Sequence, residues 1–133
     1  APAYLDRHGV PETPSALERH HVLGYSLQQS AMQWHFLDPA GQPLQVTVAG
    51  RLQVNNSLAL REALLAGVGI ARTPTFLVGE DLREGRLTAV LGEYRSLAVS
   101  IYLVFAQRRH LSPKVRAFAE FLAERITDPP YWD

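Results

Sequence analysis

Residues 44–74 constrain the fold more than any other part of this chain. Leu44, Val46 and Val48 alternate with Gln45 and Thr47, and Leu52 and Val54 follow, which is the period of a strand. Next come Asn55, Asn56 and Ser57, whose side-chain oxygens can accept bonds from the free N–H groups of a starting helix. Good helix formers then fill 57–66, with Ala59, Ala63 and Ala66 on one face and Leu60 and Leu64 four residues apart beside them. Gly67 stands where a left-handed residue would end the helix, and 68–71 reads as a short buried strand closed by Thr73 and Pro74. Strand, helix, glycine, strand is a βαβ unit, so its strands should run parallel with a right-handed crossover.

That order sets Asn55, Asn56 and Ser57 at the carboxyl end of a parallel strand. There the free N–H groups and the positive end of the helix dipole favour an anion or a polar oxygen, and open α/β sheets bind ligands at this edge. The plainer alternative is that Asn56 or Ser57 only caps the helix, because every helix needs a cap.

The rest of the chain arranges itself around this unit. Residues 2–8 make about two helical turns with Gly9 as the stop, and Thr13 and Pro14 open a second short helix over 15–20. Residues 21–26 read as a strand. Met32, Trp34 and Phe36 alternate with Gln33 and His35, and the turn chemistry of Asp38, Pro39, Ala40 and Gly41 makes 31–49 a hairpin. A single mixed sheet could close over 20–92. Residues 76–85 read as a short helix or turn, 87–91 as a brief strand, 92–95 as a loop and 97–105 as a strand. Ser112 and Pro113 start a helix over 113–126, with Val115, Phe118, Ala119, Leu122 and Ile126 at helical spacing, stopped by Asp128, Pro129 and Pro130. That last strand and helix look like the tail of a lobe whose other strands are not evident.

Composition narrows the chemistry. The 133 residues suffice for one domain with a real core. No cysteine is present, so disulfides, thiolate metal sites and a cysteine nucleophile are excluded. Net charge is zero, and Arg108 and Arg109 make too small a basic patch to grip nucleic acid. No apolar run reaches the roughly 18 residues of a membrane span. Gly67, Val68 and Gly69 begin like a dinucleotide fingerprint, but they follow a helix instead of opening one, and position 72 is Arg. His20 and His21 are adjacent and His8, His35 and His110 are scattered, which argues against a zinc site.

A resemblance gathers these pieces. The run 1–9, with Pro11 and the Pro14-Ser15-Ala16-Leu17 segment, resembles the crossover segment of LysR-type transcriptional regulators, as do 20–23 and Trp34-His35-Phe36. Val54-Asn55-Asn56, the run 63–70 and Thr73-Pro74 look like the core of that family's second effector lobe. Gly85-Arg86-Leu87, the runs 101–105 and 110–118, and Pro130-Tyr131-Trp132 continue the likeness in order.

The resemblance implies an α/β fold like type 2 periplasmic binding proteins, two lobes joined by crossing strands with a small effector in the cleft. It implies that 1–95 is effector-binding lobe II with its crossover segment, a mixed sheet with flanking helices. Residues 96–133 would be the returning strand and C-terminal helix of lobe I, otherwise absent from this chain, as is the winged helix-turn-helix that would contact DNA. The opposing wall of the site would then lie in residues outside this sequence.

Carried over residue by residue, Asn55, Asn56 and Ser57 match the helix end that holds effector, and Thr73 and Pro74 match the segment after the Gly-Ile-Ala strand. Ala1 stands where a Ser or Thr is common. Leu58, Arg61, Glu62 and Leu65 lie on the outer helix face that would meet lobe I of a second subunit, giving a homo-oligomer. The expected protein is a cytoplasmic effector-sensing regulator for a polar or anionic organic ligand, with no catalysis, cofactor, metal or membrane partner. A small α/β enzyme or solute-binding lobe using the same helix end is the alternative from another class.

Overall fold

A computed structural model describes residues 1–26, 32–96, 102–105 and 112–126. It forms two compact units, Ala1–Ala98 and Val99–Asp133. In the first, helix α1 (Pro2–His8) and a 3-10 turn (Pro14–Arg19) precede strands β1 (Val22–Tyr25), β2 (Gln33–Leu37), β3 (Pro43–Thr47) and β4 (Gly50–Val54). Helix α2 (Ser57–Leu65), β5 (Ile70–Ala71), α3 (Thr75–Arg83) and β6 (Arg95–Ser96) complete it.

Parallel and antiparallel pairing are separated into two sheets. One has the order β4-β1-β5 and is parallel throughout, with Val22 opposite Ile70 and Leu23 opposite Leu52. The other has the order β3-β2-β6 and is antiparallel, with Trp34 opposite Val46 and Phe36 opposite Ser96. The βαβ unit is therefore present, with β1 seated between its two strands. The apolar alternation over 44–54 does not continue as one strand: it divides into β3 and β4. Pairing antiparallel with β2 and then parallel with β1 requires the chain to turn, and it does so after Val48 N–H bonds the Met32 carbonyl.

Adjacent residues of β1 serve opposite cores. Val22 packs with Tyr4, Leu17, Trp34, Phe36 and Ile70, whereas Leu23 packs with Leu60, Leu64, Val78 and Leu87 beneath α2 and α3. Both residues are within 1% of complete burial. Successive side chains on a strand point to opposite faces, so this is what a central parallel strand covered on both sides requires.

The ends of α2 follow from its sequence. Asn56 Oδ1 accepts from the N–H groups of Leu58 (2.8 Å) and Ala59 (3.2 Å). Leu60 and Leu64 form the buried stripe. Gly67, at φ 67°, donates to Leu64 O, and Val68 donates to Ala63 O, which closes the helix in a Schellman motif. Arg7 adds a bond to the Gly67 carbonyl. Gly69 is needed for another reason. A Cβ there would collide with the His21 carbonyl, which accepts the Ile70 N–H that joins β5 to the chain entering β1.

Helices α2 and α3 are joined by charge. Asp81 is completely buried and accepts from Arg61 through Nε (2.6 Å) and Nη2 (2.7 Å) and from Arg86 through Nε (2.8 Å). The Arg61 hydrogen bonds hold the Asp81 carboxyl below its ordinary range against the opposing effect of burial. Arg86 also pairs with Glu84.

One expected strand is replaced, and most of a second lies outside the described residues. Residues 87–91 carry no strand; Leu87 N–H bonds back to Asp81 O, and Leu91 takes φ 59°, which ends any extended run. Of the strand expected over 97–105, residues 97–101 lie outside the described residues, and 102–105 are exposed with no ladder partner among the described residues. In the second unit α4 (Pro113–Arg125) forms as its spacing predicts but buries none of its residues; Phe118 and Phe121 are exposed, and Arg125 lies 4.7 Å from the Phe121 ring centroid. His110 and the end of the chain from Asp128 onward also lie outside the described residues.

The ion-pair geometry makes an ordered prediction for chemical denaturation. Arg61→Leu destabilises more than Asp81→Leu, because it leaves a buried carboxylate with one partner, while the other change frees guanidiniums that can turn to water. The double variant should be more stable than Arg61→Leu alone. Equal and additive losses would contradict this account.

Candidate functional site

The carboxyl ends of β4, β1 and β5 share one edge of the parallel sheet, because all three strands run the same way. A cavity of about 270 Å³ lies in this unit. Trp34 and Phe36 from β2 supply one wall, Ile70 with Val78 from α3 another, and Leu87, Val90, Leu91 and Tyr94 a third. The irregular path of 87–91 is thus what lines the space. At its polar side stand Arg72 and Thr73, directly after β5.

The Arg72 guanidinium carbon lies 6.0 Å from the Trp34 ring centroid. Burial pushes its pKa down from the ordinary arginine value, and among the described residues no carboxylate pairs with it. Thr73 Oγ1 is buried with no hydrogen-bond partner among the described residues. An uncharged hydroxyl in this state is costly, and native interiors rarely leave one.

The residues expected from sequence divide. Thr73 lines the cavity. Pro74 is exposed at the N-terminus of α3, and Asn55, Asn56 and Ser57 are exposed at the N-terminus of α2, at the same sheet edge but outside the cavity lining. Asn56 does cap its helix, and its amide nitrogen is left to meet solvent or ligand. On the outer face of α2, Leu58 is 63% exposed and Glu62 is exposed, Leu65 is half-buried, and Arg61 turns toward Asp81. Arg72, Trp34 and Asp81 carry more than the sequence reading gave them. A charge closing the apolar run Gly69-Ile70-Ala71 was the available signal for Arg72.

His8 proves not to be scattered. It stacks on Tyr4 at 4.5 Å, and His20 and His21 flank the same ring. No grouping suited to a metal ion occurs among the described residues. Tyr4 hydroxyl accepts the His21 backbone N–H (2.8 Å) and lies 3.2 Å from His20 Nδ1, within hydrogen-bond distance. Arg51 Nη1 likewise approaches His21 Nε2 (2.6 Å) and needs an acceptor there. Both imidazoles titrate below their ordinary value, His20 through burial and then His8 and His21, and His21 through burial and then Arg51 and His8.

Comparison with known proteins places this geometry. Residues 1–127 match the LysR substrate binding domain. The chain belongs to that family. It is 38% identical over 124 residues to the uncharacterized HTH-type transcriptional regulator YhjC of Escherichia coli K12, covering 92% of this chain and 42% of that protein. It is 31% identical over 127 residues to the HTH-type transcriptional regulator CrgA of Neisseria meningitidis serogroup C, covering 95% of this chain and 42% of CrgA. The full-length structure of the Vibrio cholerae virulence activator AphB superposes with a TM-score of 0.78 at 29% identity, over 92% of this chain and 41% of that one. The CrgA regulatory domain gives 0.76 at 29% identity, over 96% and 62%. The chain spans about two fifths of the length of the curated relatives it matches. Fold and family agree with the sequence resemblance: this is an α/β effector-binding domain of the LysR type. No described helix is long and apolar enough to cross a membrane.

The histidine cluster sets a pH dependence. The unfolded chain takes up protons near the ordinary value of 6.5, while the folded chain resists until lower pH. Stability is therefore full above pH 6.5 and falls as the pH drops from there through the lowered values. The melting midpoint should fall by several degrees between pH 7.5 and 5.5, and His20→Gln should flatten part of that slope. A midpoint that is flat or rises on acidification would contradict the neutral-histidine arrangement.

Proposed function

We propose that this chain is the effector-sensing part of a LysR-type transcriptional regulator, a binding module and not an enzyme. A small polar or anionic organic molecule binds at the carboxyl edge of the parallel sheet, met by Thr73 and Pro74 and, across the same edge, by Asn55, Asn56 and Ser57. The observation that carries this reading is a largely apolar cavity with a few convergent polar groups, opening beside that edge in a chain whose relatives are named as transcriptional regulators.

In the longer protein, residues 1–95 act as lobe II and 96–133 as the returning strand and helix of lobe I. Effector binding favours one relative pose of the lobes over another and so re-aims winged helix-turn-helix heads that bind DNA. The regulator works in the cytoplasm as a homo-oligomer. Leu58, Glu62 and Leu65 supply the outer face of α2 to a neighbouring subunit, while Arg61 offers only its aliphatic stem because Asp81 holds its guanidinium.

A thermal-shift screen of small organic acids against the full-length regulator identifies the effector first, since a ligand that binds only the folded state raises its midpoint. Asn56 then separates capping from binding. Asn56→Ala should cost about 1 kcal/mol of stability through the lost cap. Asn56→Asp keeps an acceptor for the Leu58 and Ala59 N–H groups and preserves stability, but repels an anion, so the effector midpoint should rise several-fold with DNA affinity in its absence unchanged. An unaltered effector titration in Asn56→Asp removes that residue from the site.

A further inference from the structure

We propose that the cavity beside Arg72 takes a flat apolar molecule bearing one carboxylate, with the carboxylate on Arg72 and Thr73 and the body against Trp34. This rests on the effector-sensing reading above and names the chemistry of its ligand.

Charge pairing inside the chain sets Arg72 apart from Arg61 and Arg86. Arg61 and Arg86 both pair with the buried Asp81, but Arg72 has no carboxylate partner among the described residues. Its guanidinium is partly withdrawn from water, as its lowered pKa reflects, and its contact among the described residues is with the face of Trp34. A planar fork of N–H donors in that condition matches a carboxylate in two-point contact. Independently, Thr73 Oγ1, on the next residue and on the same cavity, is buried with no partner among the described residues. Its proton can complete the cradle around one carboxylate oxygen.

The lining sets the rest of the ligand. Among the described residues that surround the cavity, Arg72 is the sole charged side chain, so this wall matches one negative charge. No acidic side chain among the described residues lines the space, so this wall offers nothing to receive an ammonium group. Trp34 and Phe36, with ring centroids 6.4 Å apart, present a buried aromatic wall suited to a planar body. A volume of about 270 Å³ is just under the usual span for drug-sized ligands, roughly 300–1,000 Å³, and so calls for a small molecule.

The test uses the full-length regulator with sodium benzoate, phenylacetate and 2-naphthoate, each beside its neutral amide, at constant ionic strength, read by thermal shift and calorimetry. At least one acid should bind, with its amide roughly ten- to a hundredfold weaker, the loss expected for a charge-assisted pair. Arg72→Met should remove the preference for acid over amide, and Arg72→Lys should restore part of it. Without ligand, Arg72→Met should melt no lower than the parent, because it removes an uncompensated charge; a drop of several degrees would instead give Arg72 a structural role and overturn the proposal. Acids and amides that bind alike, acid binding that survives Arg72→Met, or no binding by any acid also overturn it. A neutral metabolite that alters DNA binding while the acids fail sinks the ligand class and leaves the sensor reading standing. If no small molecule of either kind alters DNA binding, the sensor reading falls with it.

Discussion

The first unit depends on the double burial of one short strand. Val22 and Leu23 are neighbours in β1, yet one completes the core between the two sheets and the other completes the core under α2 and α3. Fully burying side chains of this size contributes about 1.5–3 kcal/mol each. The larger effect is geometric, since each layer must be in place for the other to close. Tyr4 fixes the entry to β1 by accepting the His21 N–H, and Gly69 lets β5 approach closely enough for Ile70 to bond the His21 carbonyl. The edge formed by β4, β1 and β5 follows from that arrangement, and the cavity opens beside it.

Around this core the chain handles ionisable groups in three different ways. Asp81 is charged and buried, and two guanidiniums satisfy it, which ties α2 to the end of α3. His20 and His21 titrate below their ordinary value, chiefly through burial, and His21 also accepts from Arg51, whose charge opposes its protonation. Arg72 is charged and partly buried, with an aromatic face for company and no anion among the described residues. The first two arrangements are complete in themselves. The third has no such closure among the described residues, and it lies at the edge where parallel α/β sheets hold their ligands.

Much of this architecture could be read from local sequence signals. The cap at Asn56, the left-handed Gly67, the Leu60–Leu64 stripe and the turn at Asp38 each depend on neighbours within a few residues, and each formed as expected. What escaped depends on distant partners. Alternation over 44–54 has the same period whether it makes one strand or two, and only the demands of β2 and β1 divide it. Residues 87–91 look like a strand by composition, but Asp81 O captures Leu87 and the backbone turns left-handed at Leu91. A family likeness pointed to Thr73, which lines the cavity; Arg72 and Trp34 become partners only through the fold, 38 positions apart in the sequence. His8 joined His20 and His21 for the same reason, through Tyr4.

The central claim is that the carboxyl edge of the parallel sheet, and the cavity beside it, is where this domain reads its ligand. Amide hydrogen exchange of the full-length regulator, with and without the molecule that alters its DNA binding, tests this directly. The account predicts slowed exchange concentrated in 69–75 and 87–96, the segments that line the cavity. Protection absent from both segments, and found instead on the outer face of α2 or along β3, would contradict it.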